Sequence, residues 1–317
     1  MKKISIGKAV ELLKSGEPVA FPTETVYGLG ADAHNPSAIR KVFSIKGRPA
    51  DNPLIVHIAS REMLSEFAEE IPPDAEKLMD AFWPGPLTLI FRKKPGVSDL
   101  ITAGLPGVAL RWPSHPLSQE LIARAGALVA PSANSSGRPS PTRPEHVKKD
   151  FGADFPVVGD GATQIGLEST VLDVSAEPFQ IYRPGKIGKD EIEEVLGKEV
   201  RMASQDEEQT AARSPGTKYV HYAPDARVRW LGKDEPLDSQ TSLYLIHSLS
   251  PKDKTARSNV IHYEHDYERM ARELYDRFRE ADLNACREIV IEPFDRSSST
   301  LPAIADALVN RIDKAIN

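Results

Sequence analysis

Cysteine is nearly missing from this chain: Cys286 is the only one in 317 residues. That excludes a disulfide framework and a cysteine-built zinc centre, and it leaves Cys286 as buried filler, the usual place of a free thiol. Long apolar runs are also missing. Met1-Lys2-Lys3-Ile4-Ser5 leads straight into an amphipathic pattern. Neither a signal peptide nor a membrane span is expected, and a reducing cytoplasm is the default compartment. Basic charge is in deficit, with 40 Lys and Arg against 46 Asp and Glu for a net charge of −6. This argues against a surface given over to nucleic acid, while a local basic groove stays open. The chain has no Gly-x-x-x-x-Gly-Lys-Ser/Thr loop, no Gly-x-Gly-x-x-Gly, no His-Glu-x-x-His and no Gly-x-Ser-x-Gly. Zinc catalysis and serine hydrolysis therefore have no support.

What is present is enough for a sizeable core. Forty per cent of residues are apolar and 27% charged, and the length suits two domains. Ser5 caps a short helix carrying Ile6, Ala9, Val10, Leu12 and Leu13, with Gly16 past its end. Strands are expected at Pro18 to Phe21, Leu54 to Ile58, Leu87 to Phe91, Val108 to Arg111, Ala127 to Ala130, Val157-Val158, Thr170 to Val174 and Phe179 to Tyr182. Helices are expected from Asn35-Pro36, from Ser60 through Phe67, from Pro72-Pro73 to Trp83, over Ser114 to Ala125 and over Gly188 to Leu196. Strands alternating with helices, several strands nearly all apolar, indicate a mixed α/β sheet with helices packed on it.

Ala203 to Ala212 is polar and has no apolar period, so it reads as a linker. Ser214 to Pro224 carries Lys218, Tyr219, His221 and Tyr222, which a passive linker does not need. Strands at Val228 to Leu231, Ser242 to Ile246 and Ile289 to Ile291, with helices at Tyr267 to Phe278 and Ile304 to Ile316, make a second, smaller α/β unit. The expected division is 1–202, a linker at 203–224, and 225–317.

Polar chemistry gathers in the first unit. Phe21 to Gly30 crowds Thr23, Glu24, Thr25 and Tyr27 into what reads as a turn ending in Gly28 and Gly30. That density suits a small polar ligand approached closely by backbone. Lys46-Gly47-Arg48-Pro49, with Asp51-Asn52-Pro53 beyond, suits a phosphorylated ligand or is a solvated loop. His57 sits in an apolar strand and is either a satisfied core residue or part of a site. Ala130 to Thr142 follows an apolar strand and offers hydroxyls, Asn134 and Arg138, as a ligand loop or an ordinary Ser/Pro turn. Arg111 ends a strand, where it can clamp a carboxylate or make a surface salt bridge. Ser169-Thr170 and Arg183-Pro184-Gly185 also put polar groups at the edges of buried strands.

Together these segments resemble the YrdC family in its two-domain form. The resemblance rests on Pro22 to Gly30, Lys46 to Pro49 with Asn52 to Leu54, Trp83 to Thr88, Val108 to Pro113, Ala130 to Thr142, Glu168 to Val171 and Arg183 to Gly185, in order across about the first 200 residues. Ser214 to Pro224 resembles that form's linker, with Thr217 and Val220 where Met and Arg often stand, and Ala307 to Ala315 resembles its last helix.

The resemblance implies a twisted α/β sheet with a concave basic cleft, plus a Rossmann-like C-terminal unit. It implies synthesis of L-threonylcarbamoyladenylate from L-threonine, bicarbonate or CO2 and ATP, with pyrophosphate released and the product passed to tRNA t6A modification. Thr25, His57, Arg111, Ala130 and Ser169 match its threonine positions. Arg48, Asn52, Ser132, Asn134, Ser140, Arg183 and Tyr222 match its ATP positions, and Lys46 with Arg48 its catalytic pair. Mg2+ is implied with ATP, without a ligand residue. Two rivals remain from other readings: a double-stranded RNA or ribosome-binding module without chemistry, and a carbamoyltransferase using a similar domain.

Overall fold

The computed structural model describes residues 3–159, 161–203, 221–248, 258–295 and 302–316. Most of the linker expected at 203–224, including Thr217 and Val220, lies outside the described residues.

The first unit is built on a nine-stranded mixed sheet. Its strands are β1 (Val19–Pro22), β2 (Tyr27–Asp32), β3 (Ile55–His57), β4 (Leu87–Arg92), β5 (Gly107–Arg111), β6 (Leu128–Val129), β7 (Thr170–Asp173), β8 (Gln180–Arg183) and β9 (Arg201–Met202). Their spatial order is β1-β2-β6-β3-β5-β4-β7-β8-β9. The helices are α1 (Ile6–Lys14), α2 (Pro36–Lys46), α3 (Pro73–Phe82), α4 (Asp99–Thr102), α5 (Pro116–Ala125), α6 (Pro144–Phe151) and α7 (Lys189–Leu196). Ser5 caps α1 by accepting from Lys8 N, and Asn35 caps α2 by accepting from Ser37 N and Ala38 N. The main core lies on one face of the sheet and gathers Tyr27, Ile39, Val56, Leu78, Phe91 and Leu110. A smaller cluster under α1 and α5 includes Leu13, Phe21, Leu121 and Leu128.

The second unit is a parallel four-stranded sheet in the order β10 (Arg227–Trp230), β13 (Glu288–Ile291), β11 (Ser242–Ile246), β12 (Val260–His262). Helices α8 (Tyr267–Leu283) and α9 (Ala303–Ala315) pack on it through Met270, Leu274, Phe278, Leu308 and Ile312. The same cluster takes in Val26 and Leu167 from the first unit and Tyr222, so one apolar core crosses between the two. Cys286 is half-buried against this cluster rather than inside it.

Several expectations need correction. Gly28 and Gly30 do not end a turn; they lie inside β2, paired with Phe21 and Val19 of β1. They are glycine because neighbours press on the strand: a Cβ on Gly30 would stand 2.6 Å from Phe21 Cε1, and one on Gly28 3.2 Å from Ala130 Cβ. The turn is Thr23 to Val26, closed by Thr23 Oγ1, which accepts from Thr25 N and Val26 N and donates to Val26 O. The segment after Ser60 is a 3-10 turn, Glu62–Glu66, not an α-helix. Val157 makes a single bridge to Ala20 rather than a strand. Helices α4 and α6 and strand β12 were not expected: α4 and β12 are too short to show a period, and α6 lies in a Pro- and charge-rich run.

Candidate active site

One cavity of about 610 Å3, including its mouth, opens between the two units. This is the size of a small-ligand site. Five segments build its wall. The Thr23 to Val26 turn supplies Thr23, Thr25 and Val26; the segment around β3 supplies Arg48, Leu54, Ile55 and His57; β5 supplies Arg111; the chain after β6 supplies Ala130, Pro131 and Ser132; and the edges of β7 and β8 supply Glu168, Ser169 and Arg183. His221 and Tyr222 close it from the second unit's side. Ile55 and His57 are two residues apart and so share a face of β3, and His57 pairs in register with Arg111 on the parallel neighbour β5.

All five residues expected to meet threonine are on this wall, as are Arg48, Ser132, Arg183 and Tyr222 of the expected ATP set. Lys46, Asn52, Asn134 and Ser140 are buried but are not on it. Lys46 closes α2, and its ammonium donates to Ser132 O and, at 2.6 Å, to Asn134 O. Burial first, then the charge of Arg48, holds its pKa well below the usual lysine value. Asn134 Nδ2 donates to Ser135 O and Arg138 O, fastening the same loop from within. Asn52 is buried beside Arg48, whose Nε donates to Asn52 O at 3.4 Å and whose Nη2 donates to Pro53 O at 2.9 Å.

Arg111 is buried and donates Nε to Gly85 O, Nη1 to Thr25 Oγ1 and Nη2 to Glu24 Oε1. A guanidinium carries five N–H donors, so about two are left over among the described residues for a ligand in the cavity. Glu24 also accepts from Ser114 N, which fixes the carboxylate as a brace behind Arg111. His57 Nδ1 lies 3.3 Å from Ile55 O; donation to that carbonyl leaves Nε2 with its lone pair. Burial, reinforced by Arg111, lowers the His57 pKa to about 3, so the ring is neutral at ordinary pH. Ser169 Oγ shares a 2.8 Å bond with Thr88 and accepts from Arg183 Nη2, while Arg183 Nε donates to Ser169 O.

Three residues of these segments carry no role in the sequence reading, and of them only Glu168 is on the wall. Glu24 and Tyr27 stand unassigned, yet Glu24 braces Arg111 and Tyr27 donates its hydroxyl to Gly161 O at 2.7 Å. Glu168 is the one carboxylate on the cavity wall among the described residues, and it accepts from Ser140 Oγ, from Tyr275 Oη at 3.1 Å and from Arg311 Nε at 2.7 Å. The signals for it were its place in the Glu168 to Val171 segment and a carboxylate two residues before a buried strand. Two of its partners, Tyr275 and Arg311, lie more than 100 residues further on in helices α8 and α9.

Among the described residues no group of three His, Cys, Asp or Glu side chains could hold a metal ion. None of the described helices is long and apolar enough to cross a membrane.

A sheet of this order, with a cationic cavity roofed by a second α/β unit, defines a class. The chain belongs to the Sua5/YciO/YrdC family: residues 11–185 match its model, described as telomere recombination. Residues 187–316 match the model described as the threonylcarbamoyl-AMP synthase C-terminal domain. The chain is 42% identical over 327 residues to the threonylcarbamoyl-AMP synthase of Bacillus subtilis, covering 98% of this chain and 92% of the relative. It is 49% identical over 224 residues to that of Pyrococcus abyssi, covering 69% of this chain and 66% of the relative. The crystal structure of P. abyssi Sua5 complexed with L-threonine superposes with a TM-score of 0.87 at 37% identity, covering 99% of this chain and 95% of that one.

Proposed function

We propose that the chain synthesises L-threonylcarbamoyladenylate from L-threonine, bicarbonate or CO2 and ATP, releasing pyrophosphate, and that the product serves tRNA t6A modification. The observation that carries this is the arrangement of Arg111 and His57 side by side, with Thr25 and Ser169 on the same cavity wall. That is a fitting set for an amino acid with a hydroxyl. The activity of the named relatives and the threonine complex of the P. abyssi protein support the reading over a duplex-RNA module.

Each residue then has a task. Arg111, braced by Glu24, takes the threonine carboxylate through its remaining N–H donors. His57, neutral, accepts a hydrogen bond at Nε2 and does not act as a base. Thr25, Ser169 and the backbone at Ala130 orient the hydroxyl and amine. The neutral amine captures CO2 as a carbamate, losing a proton to water, and the carbamate oxygen attacks the α-phosphorus in line while pyrophosphate leaves. Arg48 and Arg183 supply charge to the phosphates from the wall, Ser132 a donor, and Tyr222 a cover over the nucleotide. Lys46, Asn52, Asn134 and Ser140 support the nucleotide from behind, by holding the 132–140 loop and the Arg48 turn in shape. No covalent intermediate on the protein is needed; catalysis is positioning and preorganised charge, and positioning alone can supply roughly 7–11 kcal/mol in good cases.

Glu168 is taken by Arg311, Tyr275 and Ser140 and is not placed to serve as a metal ligand. The described residues do not form a resident Mg2+ site, and in this reading Mg2+ enters with ATP, held by phosphate and water. In this reading residues 1–202 are the catalytic unit and 203–224 and 225–317 its cover and support, in the cytoplasm. Incubating the protein with ATP, Mg2+, bicarbonate and L-threonine tests it: threonine-dependent pyrophosphate and a labile adenylate are expected, and threonine-independent release would sink the reading.

A further inference from the structure

Among the described residues the second unit gives the cavity only His221 and Tyr222, yet its best-buried charge is turned to the first unit's pocket. Arg311 is fully buried in α9 and is the largest fully buried side chain among the described residues. Its Nε donates to Glu168 Oε2 at 2.7 Å and its Nη2 to Glu168 O at 3.4 Å. Beside it, Tyr275 of α8 donates to the same carboxylate oxygen and stacks on Tyr222, with ring centroids 5.4 Å apart. Arg311 also lies over the Tyr222 ring, 5.6 Å from its centroid. The other carboxylate oxygen accepts from Ser140. A carboxylate on the wall of a cavity meant for a triphosphate is an electrostatic fault unless its charge is cancelled from behind.

We infer that Arg311 is a positioning residue for the nucleotide: from the second unit it neutralises Glu168 and aims that carboxylate at Ser140, so that the phosphate side of the cavity stays cationic. Burial alone would raise the Glu168 pKa; the charges of Arg311 and Arg183 outweigh it and hold the group ionised. Without Arg311, the full negative charge of Glu168 faces Arg183 and competes with phosphate for it. Threonine, held by Arg111 and His57, is spared. This inference rests on the function proposed above.

The test uses the full chain and measures binding of a non-hydrolysable ATP analogue and of L-threonine separately, with steady-state KM values alongside. Arg311→Met should weaken ATP binding and raise its KM at least tenfold, with threonine affinity within twofold. Adding Glu168→Gln removes the uncancelled charge, and the double variant should recover ATP affinity to within threefold of wild type. Equal losses for both ligands, or no recovery in the double variant, overturn the inference. If Arg311→Met does not fold, the double variant decides alone: an ATP affinity within threefold of wild type supports the inference, and a larger loss overturns it. A wild-type protein that binds neither ligand would defeat the proposed function itself, an outcome distinct from any of these.

Discussion

Arg111 Nη2 and Glu24 Oε1 meet at 2.7 Å with their side chains 4% and 3% exposed. The pair joins a strand end to a turn 87 residues away, and it sets the direction of the guanidinium before any ligand arrives. Removing one partner of a buried pair leaves the other charge stranded, which costs about 3–5 kcal/mol. Arg111→Ala should therefore lose threonine-dependent turnover and about that much stability, read by urea unfolding. Adding Glu24→Ala should return part of the stability and none of the activity. Full activity in either variant would refute the clamp.

Lys46 and Arg48 are two residues apart but are separable by experiment. Lys46 holds the Ser132 and Asn134 carbonyls, and a buried carbonyl left without its donor costs about 1–3 kcal/mol. Lys46→Met should lower the melting temperature and impair ATP binding together. Arg48 is half-exposed on the wall, and Arg48→Ala should abolish synthesis with little change in melting temperature. The two melting curves, set beside pyrophosphate release, decide it; equal destabilisation would show that the two lysine-and-arginine roles are not distinct.

Buried histidines make the fold acid-sensitive. His57 and His221 both have pKa values lowered to about 3, chiefly by burial, then by Arg111 and Arg48 respectively. An unfolded histidine titrates near 6.5. Below that pH the unfolded chain binds protons that the native chain refuses. Stability should therefore be complete above about pH 6.5 and fall as pH drops toward 3, by up to about 1.4 kcal/mol per pH unit for each ring. His57→Gln should flatten this slope between pH 6 and 4.5 in denaturant unfolding. An unchanged slope would mean that His57 is not held neutral.

Gly166 marks a place where the two units pack closely. It has φ +85°, and a Cβ there would stand 2.4 Å from Ala271 O and from Arg272 Cα of α8. Backbone cannot yield as a flexible side chain does. Gly166→Ala should loosen the seating of α8 beside Glu168, seen as faster proteolysis between the units and weaker ATP binding at preserved threonine affinity. An unaltered digestion pattern would count against a tight seam.

The sequence carried the site further than it carried the fold around it. Segments such as Leu54 to Ile58 and Ser242 to Ile246 announced themselves because their apolar runs are bounded by turn residues, and the wall residues because polar groups follow those runs. What stayed hidden was pairing across distance. Nothing local distinguishes Glu24, whose partner is Arg111, or Arg311, whose carboxylate is 143 residues earlier. Lys46 was legible as a cation but not as a loop fastener, because spacing reveals a charge and not what it faces. Gly28 and Gly30 suggested a turn, since glycine marks both bends and crowding, and only the Phe21 ring decides between them.

Tyr222 lies in the left-handed region at φ 67°, an unfavourable place for a side-chain-bearing residue, and is held there by burial and by Tyr275. Its ring belongs to the second unit's apolar core and to the wall of the cavity at once. A ligand seated against it is thus a clasp across the seam. Occupancy of the pocket and cohesion of the two units draw on one shared free energy, so that a molecule too small to span either unit steadies both.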